Sequence, residues 1–421
     1  MTDTSSTIRR VTGEELLATA YPLQDYAFGA TPVAAAPQAD GWRRSLAYRE
    51  DNVTLVSFTG AEASATAVGI PMRQHVRGRT LPMLGVSGVA THPAARRQGH
   101  VARLLTRLHG EMRDSGHVVS TLYPYRMSFY ERAGYVGFPK PRSIRLFPDG
   151  LHRIRHAEVP GGELSLHRIG TAFDDYHRFI EQLLGERHGF SVPPRRSVTE
   201  LRDSDSHWVI LARQNDEVAG ALLYRTNGFG HELQGSRFLS RGLAGRVLLL
   251  QWLGLHAEQY SAFTFELPPD GRPDLWYTDI RYTDETKIAS PLHSAPMGRV
   301  LSVEGLAGIS VGSSRVRVEV VDDPFVAGTW VLDGTTGELE VNSVPTRSGG
   351  AGSGSGAGSG SGTGSGLPTA TLTSHGLAAL VYGVLDPAEV ALQGYGKIDA
   401  EAAQALRTLF PPATPYLFAS F

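Results

Sequence analysis

The stretch from Met83 to Phe138 changes from a β-rich apolar run to an amphipathic helical pattern and then back again. The first run ends at Val89-Ala90, and a turn on Thr91-His92-Pro93 follows it. Apolar residues then recur at helical spacing and form one stripe, with arginines at positions outside it. This pattern predicts a helix. The stripe consists of Val101, Leu104, Leu105, Leu108 and Met112. A strand over 118–123 and a short helix over 129–133 complete the predicted pattern.

The turn before this helix has the composition of an anion-binding site. Its sequence is Arg96-Arg97-Gln98-Gly99-His100-Val101. A helix N-terminus offers unpaired N–H groups and the positive end of the helix dipole. Gly99 lets the backbone approach a ligand closely, and the arginines add positive charge. The sequence therefore predicts that phosphate binds here, with a purely structural strand–turn–helix as the alternative.

The remaining patterns predict a mixed α/β protein of three units, which cover residues 1–150, 151–296 and 297–421. The other predicted strands are 53–58, 65–70, 208–212, 218–224, 316–320, 328–332, 337–341 and 370–373. The other predicted helices are 173–184, 238–253, 376–382 and 400–410. A Gly/Ser-rich run at 348–366 has nothing to bury, so we predict a disordered loop within the third unit.

Composition excludes several classes of function. A net charge of −2 argues against generic nucleic-acid binding. The chain has no cysteine, which excludes disulfides, thiolate nucleophiles and Cys-ligated metals. No His, Asp or Glu spacing suggests a metal site. Because neither an apolar signal core nor a membrane span is found in the sequence, we expect a cytoplasmic protein that does not bind membranes.

The order of these motifs resembles motifs A and B of the GNAT acetyltransferases, whose pyrophosphate loop is Arg/Gln-x-x-Gly-x-Gly/Ala. Val101 replaces the last small residue here, which is tolerable if only backbone N–H groups contact phosphate. The second unit is similar to a degraded GNAT fold, and the third to the α/β fold of sterol carrier protein. This combination resembles the Eis (enhanced intracellular survival) family of actinobacterial acetyltransferases. Segments 122–135, 328–332, 377–383 and 410–421 carry the resemblance along nearly the whole chain.

The resemblance implies an N-acetyltransferase that uses acetyl-CoA (acetyl coenzyme A) and assembles as a homohexamer. Its substrates would be primary amines of cationic small molecules such as aminoglycosides. Tyr130 matches the family's general acid, since a phenol with a pKa of about 10 can protonate a departing thiolate. The α-carboxylate of Phe421 matches the general base. The alternatives are a tyrosine that fills the sheet–helix interface and a frayed chain end, although the apolar segment 416–421 argues against fraying.

The same matching implies contacts with acetyl-CoA and with the amine. The pantetheine arm would be held by backbone groups of Val89, Ala90 and Thr91. The pyrophosphate would be cradled by Arg97, Gln98, Gly99, His100, Val101 and Ala102. The thioester would lie near Tyr125 and Arg126. His100 is expected to act through its backbone N–H rather than as a side-chain catalyst. Asp25 and Trp42 lie where the family builds its amine pocket, with a surface Asp and a core Trp as the alternative.

Three further expectations concern residues outside this site. His109 is expected at a solvated helix position, whereas Tyr123 and Tyr135 are expected to be packing residues. Arg241-Gly242-Leu243-Ala244-Gly245-Arg246 lacks the spacing of the pyrophosphate loop, so the second unit is not expected to bind coenzyme A. Two other functions stay open, a lipid carrier that uses the third unit and a non-catalytic acetyl-CoA sensor.

Overall fold

A computed structural model describes residues 6–29, 35–289, 294–345 and 366–421, with the side chains of 35–39 excepted. The strands are β1 Ser6–Val11, β2 Val53–Thr59, β3 Glu62–Val76, β4 Arg79–Thr91, β5 Val119–Leu122, β6 Val136–Gly137, β7 Arg142–Leu146, β8 Gly162–Arg168, β9 Ser191–Val192, β10 Trp208–Gln214, β11 Glu217–Thr226, β12 Leu233–Ser240, β13 Phe263–Leu267, β14 Tyr282–Asp284, β15 Met297–Val300, β16 Arg315–Val320, β17 Gly328–Asp333, β18 Glu340–Val344, β19 Thr369–Leu372 and β20 Gly396–Ile398. The helices are α1 Glu15–Ala18, α2 Ala20–Phe28, α3 Ala35–Ser45, α4 His100–Asp114, α5 Met127–Glu131, α6 Ile169–Glu186, α7 Arg195–Ser204, α8 Gly242–Leu255, α9 Ser374–Tyr382, α10 Pro387–Leu392 and α11 Ala400–Leu409. The predicted disordered loop at 348–366 lies outside the described residues, apart from Gly366.

The first sheet has the strand order β1-β2-β3-β4-β5-β15-β6, and β9 pairs with β3. Strands β4 and β5 are parallel, and α4 forms the crossover that a parallel pair requires. The apolar stripe of α4 packs on one face of this sheet, around Leu104, Leu105 and Leu108. Helices α1 and α2 cover the other face, where Tyr21 packs near Phe58.

The second sheet, of order β14-β7-β13-β12-β11-β10-β8, repeats this arrangement. Strands β12 and β13 are parallel and α8 connects them, as α4 connects β4 and β5. The predicted helix over 238–253 is wrong at its start. Phe238 still belongs to β12 and packs on Phe265, 5.0 Å between ring centroids, so the helix begins only at Gly242.

The third sheet has the order β18-β17-β16-β19-β20 and packs with α9, α10 and α11.

Two strands lie outside the units to which the sequence assigned them. Strand β7, placed in unit 1–150, pairs with β13 of the second sheet. Strand β15, placed at the start of unit 297–421, lies between β5 and β6 of the first sheet. The chain thus returns from the second domain to complete the first sheet before it builds the third.

Three sheets with packed helices confirm the predicted mixed α/β class. Within the described ranges, no helix combines the length and the apolar character needed to cross a bilayer. Beyond α11, residues 410–421 contain neither helix nor strand. This segment, the C-terminal tail, contacts the second domain and ends against the first.

Candidate active site

Strands β4 and β5 separate partway along β4. Their pairing runs from Met83–Val119 to Val86–Leu122, whereas β4 itself continues to Thr91. Pairing of β4 with β3 is interrupted by a bulge near Gly88, which has φ +55°. Val89, Ala90 and Thr91 therefore lie on the part of β4 beyond its pairing with β5. An extended ligand such as a pantetheine arm can pair with a strand edge of this kind.

The loop after β4 presents backbone N–H groups at the start of α4. Arg97 has φ +64° and Gly99 has φ +77°, and α4 begins at His100 without a side-chain cap. Left-handed residues next to a helix start form a concave set of N–H donors that suits an anion. Arg103 Nη1 holds this loop by donating to the Gln98 carbonyl at 3.1 Å. The loop geometry therefore fits a pyrophosphate.

The residues of this loop and of the first turn of α4 differ in burial: Arg97 and Gln98 are exposed, whereas His100 is buried. His100 is 3% exposed, and its Nδ1 lies 2.8 Å from Ser57 Oγ on β2. Burial, and secondarily the charge of Arg103, lowers the pKa of His100, so the ring is neutral at pH 7. Any contribution of His100 to anion binding would come from its backbone N–H. Val101 packs toward the α4 core, and Ala102 is exposed.

Tyr130 lies on the short helix α5 and is 3% exposed. Its ring makes edge contacts with Phe129 at 5.0 Å, and with Tyr125 and Tyr135 at 6.1 Å each. Burial raises the pKa of Tyr130 well above its usual value, and the neighbouring phenols Tyr135 and Tyr125 add to the shift. The phenol is therefore a neutral proton donor at physiological pH. Tyr125 and Arg126, just before α5, are exposed.

The chain end lies against the first sheet, on the side opposite Tyr130. A Cβ on Gly85 would meet Phe421 Cε2 at 3.1 Å, and the Phe421 ring lies 5.7 Å from that of Tyr123. The neighbours of Gly85 on β4, Leu84 and Val86, instead belong to the cluster that contains Tyr130. Because successive side chains of a strand alternate between faces, Tyr130 and Phe421 lie on opposite faces of the sheet. Both are next to the place where β4 and β5 separate.

A cavity of about 190 Å³ lies among β2, β3 and the N-terminal helices. Trp42 stacks at 4.2 Å on Tyr21, which lines this cavity, whereas Asp25 is absent from its lining. Sequence reasoning missed Gln24, which does line it and whose buried Nε2 has no hydrogen-bond partner among the described residues. The helix periodicity of α2 was the signal available, because it places Gln24 on the buried side next to Asp25.

A buried polar network lies beside α5. Tyr135 hydroxyl lies 2.7 Å from Ser120 Oγ and 2.9 Å from His109 Nε2. His109 is 1% exposed, so the expectation of a solvated position was wrong. Arg299 on β15 donates to Asp323 Oδ2 at 2.8 Å and also to the carbonyl oxygen of Ala133. Residues from the first and third domains thus fix the turn that follows Tyr130.

Comparisons with known proteins agree with this geometry. A family model described as an acetyltransferase (GNAT) domain matches residues 7–137. The N-acetyltransferase Eis of Mycobacterium bovis (strain BCG / Pasteur 1173P2) is 31% identical over 135 residues, which are 32% of this chain and 33% of the relative. Residues 7–137 are therefore similar to a GNAT acetyltransferase domain. The matched segment of this domain spans about a third of the length of the curated relatives.

Solved structures extend the fold similarity beyond the GNAT domain. A probable N-acyltransferase of unknown function from Enterococcus faecalis V583 aligns with a TM-score of 0.78 at 15% identity, over 99% of this chain and 100% of that one. Eis1 from Mycobacterium abscessus aligns with a TM-score of 0.72 at 17% identity, over 98% of this chain and 99% of that one. The three-domain fold is therefore shared by these proteins.

Proposed function

We propose that this chain is an acetyl-CoA-dependent N-acetyltransferase that modifies primary amines of cationic small molecules such as aminoglycosides. The observation that carries the proposal is the placement of Tyr130 and Phe421 on opposite faces of the first sheet, beside the separation of β4 and β5. The loop at Gly99 lies at the end of the same strand. A thioester bound along β4 would thus have an acid on one side and a carboxylate on the other.

Transfer of the acetyl group requires two proton movements. A C–N bond forms as the amine nitrogen attacks the thioester carbonyl, and the C–S bond breaks. The Phe421 carboxylate takes the proton that the amine loses, and Tyr130 gives its proton to the leaving sulfur. Proton exchange with solvent then restores both groups. The products are an amide and a free thiol, and no covalent acyl-enzyme is needed.

The cavity beside β2 and β3 is our candidate for the amine site. Glu50, which pairs with Arg196, lines it together with Arg49, and the Tyr21–Trp42 stack, with Arg49 over the Trp42 ring, forms part of its surroundings. A carboxylate attracts a polycation, and aromatic faces bind ammonium groups and sugars. We retain Asp25 as a second source of negative charge, since it lies next to the lining residue Gln24. Assembly as a homohexamer and a cytoplasmic location are proposed from the family resemblance.

Thiol release tests this function directly. The purified chain is incubated with acetyl-CoA and a multi-amine aminoglycoside, thiol is followed with a chromogenic disulfide, and the product is analysed by mass spectrometry. We expect the amount of thiol released to equal the amount of aminoglycoside product that carries the added mass of an acetyl group. No thiol release across a broad panel of primary amines would contradict the proposal, and tight coenzyme binding without release would favour a sensor.

A further inference from the structure

The second domain holds the C-terminal tail before the tail reaches the first domain. The Tyr416 N–H donates to the His188 carbonyl at 2.9 Å. The Phe418 ring stacks on Phe190, with centroids 4.5 Å apart and planes 9° from parallel. Gly189 lies between these contacts, where a Cβ would meet Tyr416 N at 2.5 Å. The tail is therefore packed closely against the segment between α6 and β9.

Arg237 on β12 contacts the tail at two points. Its guanidinium lies over the Phe418 ring, 5.1 Å from the centroid. Its Nη2 donates to Ser420 Oγ at 2.8 Å. The Arg237 side chain is only 19% exposed, although Ser420 itself is exposed. Ser420 directly precedes the residue that carries the α-carboxylate.

The first domain contributes the last contact of the chain backbone. Tyr123, at the end of β5, donates through its hydroxyl to the Ala419 carbonyl at 3.0 Å. The Ala419 N–H faces Ser191 Oγ at 3.4 Å. Residues 416–420 thus contact both the first and the second domain, and Phe421 follows these contacts. Chain ends without such contacts are ordinarily frayed.

We propose that Arg237 is a positioning residue for the Phe421 carboxylate, and that the second domain serves as a scaffold for the tail. This inference rests on the proposed function of Phe421 as general base. A base contributes to the rate only while it is held in a productive geometry, because misplacement lowers its effective concentration. Loss of the Arg237 contacts frees Ser420 and hence the carboxylate, without touching the coenzyme loop or Tyr130.

Kinetics on a double-mutant cycle test the coupling. We compare the intact chain with Arg237→Met, with Phe421 deleted and with both changes. Arg237→Met should lower kcat about tenfold with an unchanged KM for acetyl-CoA, and should have no further effect once Phe421 is absent. Equal losses with and without Phe421 would overturn the inference. Ser420→Ala, which removes only the hydroxyl acceptor, should show a smaller loss of the same type.

A matched control separates positioning from loss of an arginine in the second domain. Arg213 is 24% exposed and pairs with Asp175 in that domain. Arg213→Met should leave kcat unchanged. If Arg213→Met and Arg237→Met lower kcat equally, the positioning role is wrong.

Trimming of the chain end tests the scaffold without any reliance on activity. A carboxypeptidase that releases aromatic C-terminal residues is applied to the intact, Arg237→Met and Arg213→Met chains. Release of Phe421 should be at least tenfold faster in Arg237→Met than in the other two. Equal rates in all three would overturn the scaffold role. An intact chain that releases no thiol would instead contradict the proposed function, and the trimming result would still decide whether Arg237 holds the tail.

Discussion

Phe421 contacts the face of β4 that is opposite the face on which Tyr130 packs. Gly85 makes the contact with Phe421, whereas Leu84 and Val86 share a core with Tyr130. Under the proposed function, this arrangement would divide the two proton transfers between the two faces of one sheet.

The first prediction concerns the loop at the start of α4. Gly99→Ala should weaken coenzyme A binding about tenfold, because a left-handed φ disfavours a side chain and the Cβ would crowd the N–H donors. The Cβ would also meet Arg103 Nη1 at 3.0 Å. Calorimetry with coenzyme A measures the effect. Gly116→Ala is the control, since Gly116 has φ +91° with nothing within 4 Å; equal affinities of the two variants would contradict the loop assignment.

The second prediction concerns the contact between β4 and the chain end. Gly85→Ala should lower kcat about tenfold, because its Cβ would meet Met72 Sδ at 2.6 Å and Phe421 at 3.1 Å and displace the tail. Gly69→Ala is the matched control. Its Cβ would crowd Leu108 and Leu84 at 2.9 Å on the opposite face, so it should destabilise the fold without this fall in kcat. Similar kcat values for the two variants would argue against a tail role.

The third prediction concerns the ion pair between the first and third domains. Asp323→Asn leaves Arg299, which is 2% exposed, without its carboxylate partner, and should cost about 3–5 kcal/mol of unfolding free energy. Denaturant unfolding measures this loss. Asp114→Asn, which disrupts an exposed pair with Arg113, should change stability by about 0.5 kcal/mol or less. A loss that small for Asp323→Asn would show that the buried pair is dispensable.

The fourth prediction concerns the pH dependence of stability. His188 accepts a hydrogen bond from the Arg77 N–H and donates to the Tyr382 carbonyl, which requires a neutral ring. Burial lowers the pKa of His188 to about 4, against about 6.5 in the unfolded chain. The unfolded state therefore binds more protons between these values, so stability falls as the pH is lowered from about 6.5 to 4, by roughly 3 kcal/mol.

Unfolding free energies measured across this pH range check the assignment. His188→Gln should show a shallower decline below pH 6.5 than the intact chain, because the substituted side chain does not titrate. The difference between the two curves isolates His188 from the other buried histidines. Parallel curves would mean that His188 is not the group responsible.

Local pattern explains what the sequence predicted well. The stripe of α4, the turn at Gly99 and the strand over 118–123 are encoded within a few residues, so periodicity and turn chemistry reveal them. Tyr130 and Phe421 were identified only through family resemblance. Their relation to one another depends on the tail, whose path is determined by contacts distant in sequence.

Non-local contacts explain what the sequence did not reveal. Strand β15 joins the first sheet after an entire domain intervenes, and nothing in its four residues specifies that partner. His109 was predicted to be solvated because a histidine beside an apolar stripe can be either exposed or buried. The 2.9 Å contact between His109 Nε2 and the Tyr135 hydroxyl, which decides between the two, is a tertiary contact. The role of Arg237 depends on tail residues far along the chain. Such features emerge only from tertiary packing.

The most direct test of the account is thiol release from acetyl-CoA with a multi-amine aminoglycoside, compared among the intact chain, the chain without Phe421 and Tyr130→Phe. We expect release by the intact chain and a loss of at least a hundredfold in both variants, each with its affinity for coenzyme A retained. Tyr277→Phe, which removes a buried phenol hydroxyl in the second domain, serves as the control. Undiminished release after deletion of Phe421 would contradict the central claim that the C-terminal carboxylate takes part in the reaction.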